Sequence, residues 1–273
     1  MQRITSRQNA TVAAYRDAAR DASATILLDG LHLVGEAIDA GLRLRHVLIA
    51  ADAVERPDAA ALLRRLPPDT PVATASATVM DAASPVRSSS LIVALANRPP
   101  VAPSPFSGRA LVVVLCDVQD PGNVGAILRV AEAAGATGAI VAGCCADPFG
   151  WKALRGSMGS ALRLPIAFAA SAADAVAHAR SHDTLVVATV PRDGAPLVDT
   201  DLVVPVALLI GGEGPGLPAD VVNTADRHVT IPMEAPVESL NAAVAAAIVL
   251  YEARRQRHSP ALAHRGTVTA ATT

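Results

Sequence analysis

Lysine is almost missing from this chain: Lys152 is the only one among 23 basic residues. Arginine forks suit phosphate oxygens, but a preference for arginine codons leaves the same trace. The 25 acidic residues bring the formal charge to −2, so no global positive field marks a nucleic-acid partner, although local basic clusters can still serve one. Aromatics make up 2% of the chain, too few for base stacking to dominate any binding of single strands. The three cysteines, Cys116, Cys144 and Cys145, form no CxxC pair and lie in or beside apolar runs. They read as reduced core residues, which suits the cytoplasm. The histidines make no HExxH or related spacing, so no metal is expected. No apolar run reaches the ~18 residues that span a bilayer. The opening "MQRITSRQNATVAAYRDAAR" lacks the apolar core of a signal peptide. These absences together describe a soluble cytoplasmic protein with no membrane partner.

What the chain does have is apolar bulk. Hydrophobic residues make up 51% and charged residues 18% of 273, enough for a well-filled core and against disorder. A proline-rich polar seam, "NRPPVAPSPFSGR" (97–109), has the character of a semi-rigid linker. Before it, "TILL" (25–28), "RHVLIA" (45–50), "PVATA" (71–75) and "LIVALA" (91–96) read as strands. Helical stretches near 31–40 and 58–66 complete a small α/β domain. After the seam come stronger strands, "LVVVLC" (111–116), "AIVA" (139–142), "LVVATV" (185–190), "VALLI" (206–210) and "HVTI" (228–231). They alternate with helices at 123–135, 171–181 and 239–257. Continuous β-branched runs predict strands buried on both faces, hence a mostly parallel sheet covered by helices. In the last helix Leu240, Val244, Ile248 and Tyr251 share one apolar face.

In open α/β sheets ligands bind beyond the carboxyl ends of strands, and three such ends carry unusual residues. In "DVQDPGNVGAILRVAEAAG" (117–135), Asp120-Pro121-Gly122 forms a turn and Asn123 can cap the following helix. Arg129 stands among Ile127, Leu128 and Val130, a setting that suggests burial or an interface. A surface pair with Glu132 is the plainer reading. In "LLIGGEGPGLP" (208–218) a strand runs into a glycine loop that matches neither GxGxxG nor GxxxxGK[ST]. Glu213 within it would repel a phosphate. The loop between strand and helix in "IPMEAPVESLNAAVAAAIVLYE" gathers Glu238, Ser239 and Asn241, with Ser239 placed to cap the helix. A fourth stretch, "DPFGWKALRGSMGSALRLPI" (147–166), puts Lys152, Arg155 and Arg163 on a short helix and the loop after it. This is a basic patch or simply a solvated face.

In this order and spacing, "DPGNVGAILR", "LLIGGEGPGLP" and "IPMEAPVESLNAAVAAAIVLYE" resemble the three motifs of the SpoU/TrmH-type RNA 2′-O-ribose methyltransferases of the SPOUT superfamily. "DPFGWKALRGSMGS" is similar to the segment between the family's first two motifs. The strong resemblance covers about 109–257. The first ninety-odd residues are similar, more loosely, to the family's ribosomal-protein-like substrate-binding domain, with Asp29-Gly30 where that domain often has Glu-Gly. The resemblance implies an α/β fold with a deep trefoil knot in a parallel-sheet SPOUT domain, an exception to the rule that chains are unknotted. It implies a substrate-binding domain over 1–97 and a methyltransferase domain over 109–258, joined by the proline-rich linker over 98–108; the tail over 259–273 has neither periodicity nor bulk and reads as flexible. The resemblance further implies S-adenosylmethionine as cofactor, a homodimer, and RNA as partner, ribosomal RNA before transfer RNA. By carry-over, Thr189, Gly211, Gly212, Ile231, Met233 and Leu240 hold the cofactor. Asn123, Arg129, Glu213, Ser239 and Asn241 face the reacting centre. Arg3, Arg7, Arg43, Lys152 and Arg155 contact RNA, and no metal takes part.

The implied reaction moves a methyl group from a sulfonium to a ribose 2′-oxygen, so the protein must chiefly hold that oxygen in line. The family's proposal makes Arg129 the base, although guanidinium groups lose a proton only above about pH 12. A phosphate clamp that eases loss of the hydroxyl proton is the other role open to it. Two other classes compete: a non-catalytic RNA-binding protein on the same fold, and a nucleotide-dependent oxidoreductase. The missing GxGxxG speaks against the oxidoreductase, and the joint presence of the five catalytic candidates speaks against an idle copy.

Overall fold

The computed structural model describes residues 1–86, 90–102 and 104–258. The expected tail, 259–273, lies outside the described residues, as does Pro103 of the expected linker. The chain runs β1 (Gln2–Ile4), α1 (Ala10–Arg20), β2 (Thr25–Asp29), α2 (Leu31–Asp39), β3 (Leu44–Ala50), α3 (Pro57–Arg64), β4 (Val72–Ala75), α4 (Ala77–Ala83) and β5 (Ile92–Asn97). It continues through β6 (Leu111–Cys116), α5 (Pro121–Ala134), β7 (Gly138–Ala142), α6 (Trp151–Ser157), α7 (Ser160–Arg163), β8 (Ile166–Ala169) and α8 (Ala172–Arg180). The last elements are β9 (Leu185–Thr189), β10 (Ala195–Pro196), β11 (Val206–Gly211), α9 (Ala219–Thr224), β12 (Arg227–Thr230) and α10 (Ala242–His258). Two compact units interleave along this order. Met1–Val101, Pro121–Arg129 and Ala146–Arg163 form the first; Ala102–Asp120, Val130–Cys145 and the chain from Leu164 form the second.

The first unit is built on a five-stranded sheet in the order β1-β4-β3-β5-β2. Strands β1, β4 and β3 are parallel, while β5 runs antiparallel to both β3 and β2. Helix α1 starts where the Asn9 side chain accepts the Thr11 N–H at 2.8 Å. It buries Val12, Tyr15 and Ala18, three residues apart. Strand β2 ends at Asp29, whose buried carboxylate accepts the hydroxyls of Ser84 and Ser90 and lies 3.8 Å from Arg155 Nη1. Arg163 pairs with Glu36, and Arg98 Nη1 donates to Asp147 at 2.6 Å. These links tie residues 146–163 to the first unit. Of the expected basic patch, Arg155 and Arg163 therefore face acids.

The second unit carries a seven-stranded, wholly parallel sheet in the order β10-β12-β9-β11-β6-β7-β8. Val112, Val114, Ile140, Val186 and Leu209 form part of a dry core on it, as continuous β-branched runs require. Helix α10 departs from its expected orientation. Val244, Ile248 and Tyr251 are 48%, 38% and 68% exposed, whereas Ala246, Val249, Leu250 and Ala253 are fully buried. Ala246, Val249, Leu250 and Ala253 form the face packed inward, and Val244, Ile248 and Tyr251 are turned outward.

Candidate cofactor pocket and active-site residues

Loops at the carboxyl ends of β9, β11 and β12 enclose a cavity of about 420 Å³ in the second unit. Thr189, Gly211, Gly212, Ile231, Met233 and Leu240 all line it, together with Glu213, Ser239 and Asn241. Residues that are up to 52 positions apart in the chain thus meet at the ends of neighbouring parallel strands, where such sheets bind ligands.

The glycines are needed for close backbone approach. A Cβ on Gly211 would lie 2.5 Å from Gly216 C and Leu217 N, and one on Gly212 would lie 2.1 Å from Asp117 O. The loop folds back through a bridge between Gly212 and Gly216, with Gly214 and Gly216 at φ +90° and +68°. Glu213 Oε2 accepts the Gln119 N–H at 3.2 Å, joining this loop to the segment that enters α5. The Thr189 hydroxyl donates to Leu209 O at 2.8 Å, so its lone pairs remain to accept.

Asn241, not Ser239, caps α10. Its Oδ1 accepts the Ala243 and Val244 N–H groups at 2.9 and 3.3 Å, and the helix begins at Ala242. Ser239 sits three residues upstream on the exposed pocket rim. A similar shift occurs at α5. Pro121 takes the first helical position, where its missing N–H costs nothing, so Asn123 lies inside the first turn and is not the cap. Arg129 is exposed in the single chain, while Ile127 and Leu128 are fully buried. Of the burial or interface expected for Arg129, burial within the single chain is absent, and among the described residues it makes no hydrogen bond or ion pair.

Asn123 and Arg129 do not line the cavity. They belong to the first unit, as do the exposed Arg3, Arg7, Arg43, Lys152 and Arg155. Sequence reasoning passed over Asp117, which adopts φ 55° and accepts the Cys144 N–H at 2.7 Å. It also passed over Val190, Pro191, Leu217 and Ala245 of the pocket wall. An acid directly after an apolar strand was the available sign for Asp117; the wall residues carry none. No group of side chains fit to hold a metal ion occurs among the described residues, and none of their helices is long and apolar enough to cross a membrane.

The cavity is lined mainly by apolar groups and glycine backbone, and Glu213 is the only charged residue among the described residues lining it. That fits a largely apolar ligand with a cationic centre and disfavours one bearing phosphates.

Comparison with known proteins agrees with this geometry. An uncharacterized tRNA/rRNA methyltransferase of Synechocystis sp. is 40% identical over 154 residues, 56% of this chain and 56% of that protein. A Bacillus subtilis 23S rRNA guanosine-2′-O-methyltransferase is 34% identical over 143 residues, 52% of this chain and 57% of that protein. The chain thus spans about half the length of the curated relatives it matches. The SpoU methyltransferase AviRb of Streptomyces viridochromogenes, solved with AdoMet, superposes with a TM-score of 0.84 at 29% identity, covering 92% of this chain and 99% of that one. Residues 110–251, more than half the chain, match the family model described as the SpoU rRNA Methylase family, and the protein belongs to that family.

Proposed function

We propose that this protein is an S-adenosylmethionine-dependent RNA methyltransferase acting on a ribose 2′-hydroxyl, with ribosomal RNA as its substrate. The observation that carries this reading is the convergence of all six expected cofactor residues on one apolar cavity, where the carboxylate of Glu213 is the only charge among the described lining residues. Bound there, the cofactor supplies a methyl group activated by the positive charge of its sulfur. The chain's own task is to hold the acceptor oxygen in line, which is worth up to about 7–11 kcal/mol of the barrier.

Arg129 supplies that hold. Its exposed guanidinium, with Asn123 six residues earlier on α5, suits the phosphate beside the target ribose and eases loss of the hydroxyl proton. Glu213 fixes the glycine loop against the backbone before α5, and Ser239 and Asn241 order the third wall of the pocket. Residues 1–97 serve as the substrate-binding domain and 98–108 as the linker to a methyltransferase domain over 109–258. Arg3, Arg7, Arg43, Lys152 and Arg155 supply RNA contacts. The exposed stripe of Val244, Ile248 and Tyr251 supports a homodimer joined along α10. Insertion of β11 between β9 and β6, with α10 following the pocket loops, supports a trefoil knot at the cofactor site. The expected setting is the cytoplasm.

The reading is tested with tritiated S-adenosylmethionine and total RNA, fractionated into ribosomal and transfer pools, with Arg129→Ala beside the wild type. Label in ribosomal RNA, recovered as an alkali-resistant 2′-O-methyl dinucleotide and reduced at least 100-fold in the variant, is the expected result. Label confined to transfer RNA would move the substrate; no cofactor binding would end the enzyme reading.

A further inference from the structure

The fullest convergence outside the cofactor pocket is at the start of α6. Trp151, the only tryptophan in the chain, opens this helix and is half-buried. Its indole N–H makes no hydrogen bond among the described residues, and no buried side-chain donor among them lacks a partner, so the ring edge reaches solvent. Lys152 Nζ lies 5.5 Å from the ring centroid. Arg155, one turn on, is exposed and held 3.8 Å from the buried carboxylate of Asp29.

The turn before Trp151 is rigid. Asp147 accepts the N–H groups of Phe149 and Gly150 at 3.0 Å through its carboxylate and its carbonyl. Arg98 donates to Asp147 and stacks 4.6 Å from the Phe149 centroid, and Phe149 is 2% exposed. The backbone that carries the indole is therefore held before any ligand arrives. Helix α6 also crosses the part of α5 that bears Asn123 and Arg129. A Cβ on Gly125 would lie 2.4 Å from Ala153 O, and one on Gly156 would lie 3.3 Å from Gly122 O.

Resting on the proposed RNA substrate, we infer that Trp151 is a stacking platform for an unpaired base of that RNA, with Lys152 and Arg155 on its flanking phosphates. The aromatic face accepts any base, the two cations match the backbone charge, and the rigid turn lowers the ordering cost.

The test uses the full chain and a single-stranded oligouridylate of about twelve nucleotides, with binding followed by anisotropy of an end label. Because Trp151 is the sole tryptophan, its emission reports on this position alone. Quenching by more than about half at saturation is expected. Trp151→Ala should weaken binding about 5- to 100-fold and Trp151→Phe should restore most of it, as stacking strengths imply. Saturation without any change in emission, absence of RNA binding, or equal affinity of the alanine variant would overturn the inference. If Trp151→Ala misfolds, the wild-type emission and Trp151→Phe still decide. Cofactor binding by calorimetry is measured separately, so its loss with quenching intact would strike the methyltransferase reading and leave the platform standing.

Discussion

The backbones of Gly212 and Asp117 touch: a Cβ on Gly212 would stand 2.1 Å from the Asp117 carbonyl oxygen. A separation so short cannot be absorbed by rotating a side chain, because both sides are main chain. Gly212→Ala must therefore displace the loop that forms one wall of the pocket. S-adenosylmethionine affinity should fall at least about 10-fold, and the thermal midpoint by several degrees, since backbone clashes of this kind cost on the order of 1–3 kcal/mol. Gly214→Ala is the control. Its Cβ meets nothing within 4 Å, but its φ of +90° makes it strained, so stability should fall without the same loss of affinity. Calorimetric titration of both variants separates the two effects.

Asn241 and Ser239 divide two roles that their sequence positions blur. Asn241→Ala removes the acceptor of two N–H groups at the start of α10 and should cost about 1 kcal/mol, the usual value of a lost cap. Ser239→Ala should leave stability within about 0.5 kcal/mol while weakening turnover. Urea unfolding with matched kinetics would show the contrast; equal destabilisation by both would refute the assignment of the cap.

That blurring shows where sequence reasoning stops. The buried strands of the second unit were legible because runs such as Leu111–Cys116 are apolar on both faces. The pocket lining was legible through motif order, although the glycines at 211 and 212 gave no sign of which backbone they approach. The orientation of α10 was not legible. Val244, Ile248 and Tyr251 make the stripe that the spacing picks out, yet Ala246, Val249, Leu250 and Ala253 are the buried ones. Periodicity identifies a face but not what covers it. Strand β8 was missed because Ile166–Ala169 is short, follows Pro165 and leaves Phe168 41% exposed. The attachment of residues 146–163 to the first unit depends on pairs such as Asp29 with Arg155 and Glu36 with Arg163. No local pattern announces partners separated by more than a hundred positions.

The outward stripe of α10 sets up a test of the proposed homodimer. Ile248→Glu with Tyr251→Glu replaces exposed side chains, so the fold of the single chain should hold to within about 0.5 kcal/mol per site. Two buried charges at an apolar interface would nonetheless oppose association strongly. Sedimentation equilibrium should show a dimer for the wild type and a monomer for the double variant. A wild-type monomer at micromolar concentration would remove the proposal.

The three cysteines should differ sharply toward a thiol reagent. Cys144 is exposed; Cys145 is half-buried, with Sγ 3.3 Å from the carbonyl oxygens of Leu115 and Ala142. Burial pushes the Cys116 thiol up to about 12 and raises Cys145 as well. Because the thiolate is the reacting species, labelling with Ellman's reagent at pH 8 should show one fast thiol. Cys144→Ser should abolish that phase. Cys116 should react only after unfolding, and fast reaction there would mean that the β6 core is open.

Arg257 offers the strongest test of how the end of α10 is fastened. Its guanidinium donates to four carbonyl oxygens: Leu202 at 2.8 Å, Arg109 at 2.8 Å, Ala110 at 2.9 Å and Val204 at 2.6 Å. These acceptors lie just before β11 and at the entry to β6, so one side chain joins the last helix to the approaches of two central strands. Beside it the Gln256 amide donates to Thr200 O and accepts the Leu202 N–H, both at 2.9 Å. Hydrogen bonds from a charged donor contribute about 1.5–3 kcal/mol each but share their energy when made by one group. Arg257→Ala should therefore destabilise the fold by roughly 2–4 kcal/mol. Arg257→Lys should recover only part, because an ammonium cannot span the same fork. In hydrogen exchange, protection should fall first in the last turns of α10 and at the entry to β6. Uniform loss of protection across the second unit would instead show that α10 unfolds only with the whole sheet, and that Arg257 adds to global stability without acting as a local latch.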